Sequence, residues 1–291
     1  MARRRFEAMN TAPTDDPAIL ETWVGRTQEL GETIDVTTMN RLAMTLGLEP
    51  TVGAGDPIAP LWHFATFIEA VPAGRLGHDG HPQRGGFLPP VALPRRMWAG
   101  SRITFGAPIL AGVDATKHST IESVVLKNGS SGPLCFVTVH HVTSVDGEVC
   151  IDEEQDIVYR DDPDPDTPPR SAPPAPTDAE LSRTIVPDPT LLFRYSAVTF
   201  NGHRIHYDRD YASSSEGYAG LVVHGPLTAT LLAQLATEHG ETLASFSFRG
   251  VSPLLDTAPF TIHRRASDTG ADLWATNPTG GLAMTAQAIY R

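Results

Sequence analysis

The chain has 291 residues, 41% hydrophobic and 19% charged, which is enough apolar material for a sizeable core without metal or disulfide staples. A formal net charge of -12 excludes a broad nucleic-acid footprint, which needs a basic face, but leaves room for a small basic pocket around one phosphorylated ligand. No stretch approaches the roughly 18 apolar residues of a membrane span, and Cys135 and Cys150 alone make no disulfide framework, so a reducing, cytoplasmic setting is expected.

Met1 to Arg5 is basic, but the polar, acidic residues that follow lack the apolar run of a secretory signal, and the segment reads as a frayed terminus. Asp16 before Pro17 is an N-cap and first-turn pair. Asp35 caps a second helical run, TTMNRLAMTLG, closed by Gly47. Ala59 to Gly100 is rich in Pro, Gly and aromatics, and its Trp62, Phe87 and Trp98 are expected in the core. Strand-like runs follow at Ser119 to Lys127, Leu134 to Val145 and Ile151 to Tyr159. The turn signals NGSSGP and DG between them predict an antiparallel meander.

DDPDPDTPPRSAPPAPTD, Asp161 to Asp178, is dense in proline and acid and cannot pack a core. It divides the chain into an N-terminal half (1–160), a linker (161–180) and a C-terminal half (181–291). The C-terminal half is read as a strand at Leu191 to Thr199, a polar loop, and the helix GPLTATLLAQLATEHG. That helix is apolar nearly all round and so buried, with Gly240 as its cap. Four strands follow: Leu243 to Phe248, Pro259 to Arg265, Ala271 to Ala275 and Leu282 to Tyr290, the last strictly alternating. A buried helix followed by antiparallel strands predicts an α+β fold with a sheet wrapped around the helix. The N-terminal half repeats that order in worn form, which implies two fused copies.

The densest cluster of polar chemistry is FNGHRIHYDRDYA, Phe200 to Ala212. Loops on a rigid scaffold are where such groups gather. This segment resembles the active-site segment of the MaoC-like and R-specific enoyl-CoA hydratases. Those carry an aspartate, an asparagine two positions on, and a histidine five positions after the aspartate. The histidine falls on His206. Asn201 stands at the aspartate position and His203 at the asparagine position, a departure that puts a simple Asp/His dyad in doubt. LGHDGHPQRGGFLPPVALPRRMWAG (Leu76 to Gly100) and VVHGPLTATLLAQL (Val222 to Leu235) are similar to segments of the same superfamily. The subgroup they resemble contains mesaconyl-C4-CoA hydratases and 3-hydroxyacyl-thioester dehydratases. The resemblance implies a double hotdog: two antiparallel sheets, each wrapped around a central helix.

Hydrating an α,β-unsaturated thioester needs an activated water at the β carbon, a proton for the α carbon and a partner for the enolate-like oxygen. His206 is expected to be the acid/base group, since imidazole titrates near neutrality. Asn201 positions water or serves as an Asx turn. Gly225, with a free N–H at the start of the buried helix, is expected to hold the thioester oxygen, the bland alternative being a tight turn. Substrate contacts are expected from His203, Arg204, Tyr207, Arg249, Arg95 and Arg96, the arginines reaching a carboxylate or a CoA phosphate; local ion pairs, as between Arg204 and Asp208 or Asp210, compete with this. In strand geometry His206 and Arg204 share a face while His203 points the other way; a turn would break that parity. A metal held by His203, His206 and Asp208 is the weaker reading, and none is expected.

The N-terminal half, with His78 and His81, is expected to shape the acyl tunnel without catalysing. No cofactor is implied, CoA entering only as part of the substrate, and a homodimer is compatible. The expected activity is hydration or dehydration of a short, branched, dicarboxylic acyl-CoA such as mesaconyl-C4-CoA. The alternatives are a 3-hydroxyacyl-thioester dehydratase of fatty-acid synthesis with acyl carrier protein as partner, a hotdog thioesterase, and a non-catalytic acyl-CoA-binding protein, for which Asn201 is the best argument.

Overall fold

Asp–Pro pairs open two of the helices, for the same physical reason each time: the carboxylate accepts an orphan backbone N–H and proline pre-sets the first helical φ. The computed structural model describes residues 12–129, 132–162 and 171–291. The basic start of the chain and residues 163–170 of the proline-rich segment lie outside the described residues.

Helix α1 (Pro17–Glu21) is capped by Asp16, whose Oδ1 accepts from the Ala18 N–H at 2.9 Å. Strand β1 (Thr27–Thr33) leads to α2 (Val36–Thr45), where Asp35 caps through the Thr38 N–H at 2.7 Å. A long loop then precedes β2 (Arg95–Phe105), β3 (Asp114–Gly129), β4 (Gly132–Val145) and β5 (Glu148–Arg160). The second half runs β6 (Leu181–Ile185), α3 (Pro189–Val198), α4 (Arg209–Ser214), α5 (Gly225–Ala236), β7 (Leu243–Gly250), β8 (Phe260–Ser267), β9 (Gly270–Thr276) and β10 (Leu282–Tyr290).

The strand expected at Leu191 to Thr199 is helix α3. Asp188 caps it through the Leu191 N–H at 2.9 Å, and Leu192, Tyr195 and Ser196 bury at helical spacing. The β-rich look of LLFRY misled because Phe193 is 61% exposed and belongs to no buried face. The expected meander is present as β3, β4 and β5, paired antiparallel in sequence order.

The strand order is β1-β3-β4-β5-β2 followed by β7-β10-β9-β8-β6. Read inward from each edge, both halves run first, third, fourth, fifth, second. The same topology thus occurs twice, back to back. The join is the antiparallel pairing of Gly100–Thr104 with Ser245–Arg249, which makes one ten-stranded sheet. Gly100 is required at this join, because a Cβ there would overlap the Phe248 carbonyl oxygen.

Helix α5 packs against β7, β8, β9 and β10. Leu227, Ala229, Leu232, Ala233 and Ala236 on it are fully buried. On β10, Ala286 and Ala288 bury while Thr285 and Gln287 face out, the alternation the sequence predicts. The main core is continuous between halves: Ile34, Met39 and Leu42 belong to the same apolar cluster as Leu227 and Leu232. None of the described helices is long and apolar enough to cross a membrane.

Candidate active site

The segment after α3 turns rather than extends. Asn201 N–H closes back on the Ser196 carbonyl at 2.8 Å, Arg204–His206 forms one 3-10 turn, and Asp208 caps α4 through the Tyr211 N–H at 3.0 Å. Strand parity therefore fails. His203 and His206 are both buried, each 7% exposed, and both line one cavity, while Arg204 points away. Two hydrogen bonds hold the turn to the residue before α5's approach: Val222 N–H to the Ile205 carbonyl at 3.0 Å, and His206 Nδ1 to the Val222 carbonyl at 2.7 Å.

That second bond fixes the tautomer. A carbonyl only accepts, so Nδ1 carries the hydrogen and Nε2 carries the lone pair. Nε2 has no partner among the described residues and is not sealed from solvent. Burial, reinforced by the charge of His203 and opposed by the Val222 bond, lowers the His206 pKa to about 3. The ring is neutral at physiological pH and able to accept a proton.

His206 stacks on His224, ring centroids 3.7 Å apart and 19° from parallel. His224 is the N-cap of α5, and its Nε2 meets Ser196 Oγ at 2.8 Å. Gly225 follows. Its N–H has no acceptor among the described residues, and a Cβ there would meet nothing within 4 Å. Pro226 supplies no N–H, so Gly225 is the free donor where the helix dipole is positive. An open imidazole nitrogen and an unpaired N–H thus line the same cavity of about 660 Å³.

The N-terminal half reaches into this site. Asp79 Oδ2 holds His81 Nδ1 at 3.0 Å, and the His81 ring lies 4.2 Å from that of His203, itself 5.4 Å from His206. The loop docks by backbone: Arg204 N–H donates to the Asp79 carbonyl at 2.9 Å. Gly80, at φ +87°, and Gly202 let the two chains touch, since a Cβ on Gly80 would overlap the Gly202 carbonyl. Gly80→Ala is therefore expected to cost about 2–5 kcal/mol through overlap and left-handed strain. The check is urea unfolding, with Gly86→Ala, in open space, as control. Equal midpoints for the two variants would refute the docking argument.

Several expected contacts are corrected. Arg204 forms an ion pair with Asp208 at 2.7 Å, bonds the His78 carbonyl and lies over Tyr211, so it does not line the cavity. Asp208, held by Arg204 and the Tyr211 amide, is not a metal ligand beside His203 and His206. Arg95 is buried on Asp162 and the Glu216 carbonyl, because β2 alternation turns it from the cavity. Arg249 is exposed on β7, and Tyr207 is 44% exposed with its hydroxyl on the Gly202 carbonyl. Asn201 lines the cavity, but its Oδ1 accepts the His203 N–H at 3.0 Å, an Asx turn. Arg96 lines the cavity, as do Phe87 and Trp98, expected only as core aromatics. The ligand atoms of Asp79, His81 and His203 lie within 4.8 Å of one another, but a cation there would face the neighbouring Arg96 charge.

The model of the hydroxyacyl-thioester dehydratase type 2 family matches residues 61–256. The chain is 47% identical over 275 residues to a mesaconyl-C(4)-CoA hydratase of Chloroflexus aurantiacus, covering 91% of this chain and 95% of that protein. The chain belongs to the hydroxyacyl-thioester dehydratase type 2 family. It is a hydro-lyase acting on acyl thioesters. A MaoC-like dehydratase from Phytophthora capsici superposes with a TM-score of 0.68 at 11% identity, covering 94% of this chain and 97% of that one. A Mycobacterium tuberculosis protein described as a double hotdog superposes at 0.52 with 14% identity, covering 92% and 96%. These give the fold: the duplicated sheet is the double hotdog. His224 as a ring partner was not expected, although the HG pair before α5 signals it. His81 lines the cavity as expected of the N-terminal half, but nothing local signals its contact with His203.

Proposed function

We propose that the chain adds water reversibly to a short, branched, dicarboxylic acyl-CoA of the mesaconyl-C4 type. The observation that carries this reading is His206 Nε2, open to the cavity that the Gly225 N–H also lines, in a chain close to a hydratase of that substrate. Nε2 takes a proton from water as the oxygen bonds to the β carbon. The electron pair of the double bond moves toward the thioester, whose oxygen is held by the Gly225 N–H. Because burial disfavours the imidazolium, the proton is released to the α carbon rather than kept, which completes the addition. The chemistry uses side chains and one helix start, with CoA present only as part of the substrate.

The test is a kinetic comparison of purified protein on mesaconyl-C4-, crotonyl- and itaconyl-CoA, following loss of the enoyl-thioester absorbance. The expected result is a kcat/KM for mesaconyl-C4-CoA roughly 100-fold above that for crotonyl-CoA. Preference for longer unbranched enoyl chains would instead favour the 3-hydroxyacyl-thioester dehydratase reading that the family match suggests. Release of free thiol without hydration would mark a thioesterase, and tight binding without turnover a non-catalytic protein.

A further inference from the structure

Arg96 neighbours Arg95 on β2, yet the two side chains have opposite fates. Arg95 is held by Asp162 at 2.8 Å and the Glu216 carbonyl at 2.6 Å. Arg96 lines the cavity and has no carboxylate or carbonyl partner among the described residues. Its neighbour across the ladder is the neutral Tyr159 hydroxyl, and a half-buried guanidinium without an anionic partner is costly unless something anionic visits it.

The other cavity-lining cations are differently placed. Arg84 donates to the carbonyls of Val91, Leu93 and Pro94. Lys117 lies beside Glu153 and Glu69, which also line the cavity. Arg160 ends β5 opposite Arg95, and its buried Nε also lacks a partner among the described residues, but it is not among the main charges acting on His81, as Arg96 is. Asp79 stands near Arg96, but its Oδ1 and Oδ2 accept from the His81 amide and Nδ1, and it does not line the cavity. No lining carboxylate among the described residues therefore competes for Arg96 on the histidine side.

Arg96 also lies on the side where the chemistry is. Its charge acts on His81, whose ring touches that of His203, next to His206. In a mesaconyl-C4 thioester the free carboxylate is bonded to the β carbon, the atom that takes up water. An anchor for it must therefore stand beside the general base, not at the far end of the cavity.

We propose that Arg96 binds the free carboxylate of the dicarboxylic acyl group and so holds the β carbon in front of His206 Nε2. This rests on the dicarboxylic reading given above. Arg96 makes the bidentate pair for which guanidinium geometry is suited, and it is what separates this substrate from an unbranched monocarboxylic one.

The experiment measures kcat/KM on mesaconyl-C4-CoA and crotonyl-CoA for wild type, Arg96→Ala and Arg96→Lys, with thermal melts to confirm folding. The preference for mesaconyl-C4-CoA is expected to fall roughly 10- to 150-fold in Arg96→Ala, as loss of a charged hydrogen-bonded partner implies. Arg96→Lys, which keeps the charge and most of the bulk, should recover part of it. Equal losses on both substrates would overturn the assignment, because Arg96 would then serve the shared CoA or the fold. A wild-type preference that survives Arg96→Ala would overturn it alone. A wild type with no preference would overturn the substrate reading and this assignment with it.

Discussion

Replacing His206 by alanine is expected to lower kcat for thioester hydration roughly 10²- to 10⁴-fold with little change in fold, the usual contribution of a positioned acid/base group. The ring is a buried partner of Val222 and His224, so a purely structural loss must be separated from a chemical one. His206→Asn does that. Its amide N–H reproduces the Nδ1 donation to Val222 but offers no basic nitrogen. It should melt close to wild type and remain as inactive as the alanine variant. Turnover within about fivefold of wild type in either variant would remove His206 from the chemistry. Because the ring protonates only near pH 3, the wild-type rate should be flat between about pH 5 and 8 rather than falling with an ordinary histidine pKa.

A steep loss of stability in mild acid is the second large effect expected. Burial, aided by the Arg96 charge, lowers His81 to about 3, burial likewise lowers His206 to about 3 and His141 to about 4, and His224 is held well below the ordinary range. In each case the unfolded chain binds the proton more tightly than the folded one. Their contribution is therefore complete above the unfolded pKa of about 6.5 and drains as pH falls toward the folded values. Each such histidine costs on the order of 1.4 kcal/mol per pH unit in that window. Acting together they remove a large share of a typical stability of about 5–15 kcal/mol as the pH falls. Urea midpoints measured from pH 7.5 to 4.5 should fall steeply below pH 6.5. A midpoint unchanged across that range would contradict the buried neutral state of these rings.

Periodicity and caps carried most of the architecture. Strands β3, β4, β5, β7, β8, β9 and β10 and helix α5 were all visible because their faces alternate or stay apolar throughout. Strands β1 and β6 escaped notice: TQELGET and LSRTI bury little and read as polar loop. Strand β2 was hidden at the end of a Pro- and Gly-rich stretch, and α3 by aromatic and β-branched residues despite its Asp–Pro start. The places of His206 and Gly225 in the cavity wall were legible because each sits in a local motif. The pairing of His81 with His203 was not, since it depends on a backbone contact between loops from opposite halves. Arg204 and Arg249 looked like ligands in sequence because charge is visible there and its partners and exposure are not.

The back-to-back duplication leaves the cavity with two unlike walls. The basic nitrogen and the helix start come from the C-terminal half, and Arg96 comes from the N-terminal half and lies beside them. A flat conjugated acyl chain gripped at both ends between such walls presents only one of its two faces to water. The carbon that receives the hydroxyl then becomes a stereocentre of a single hand, set by a loss of symmetry that two identical copies would not have had.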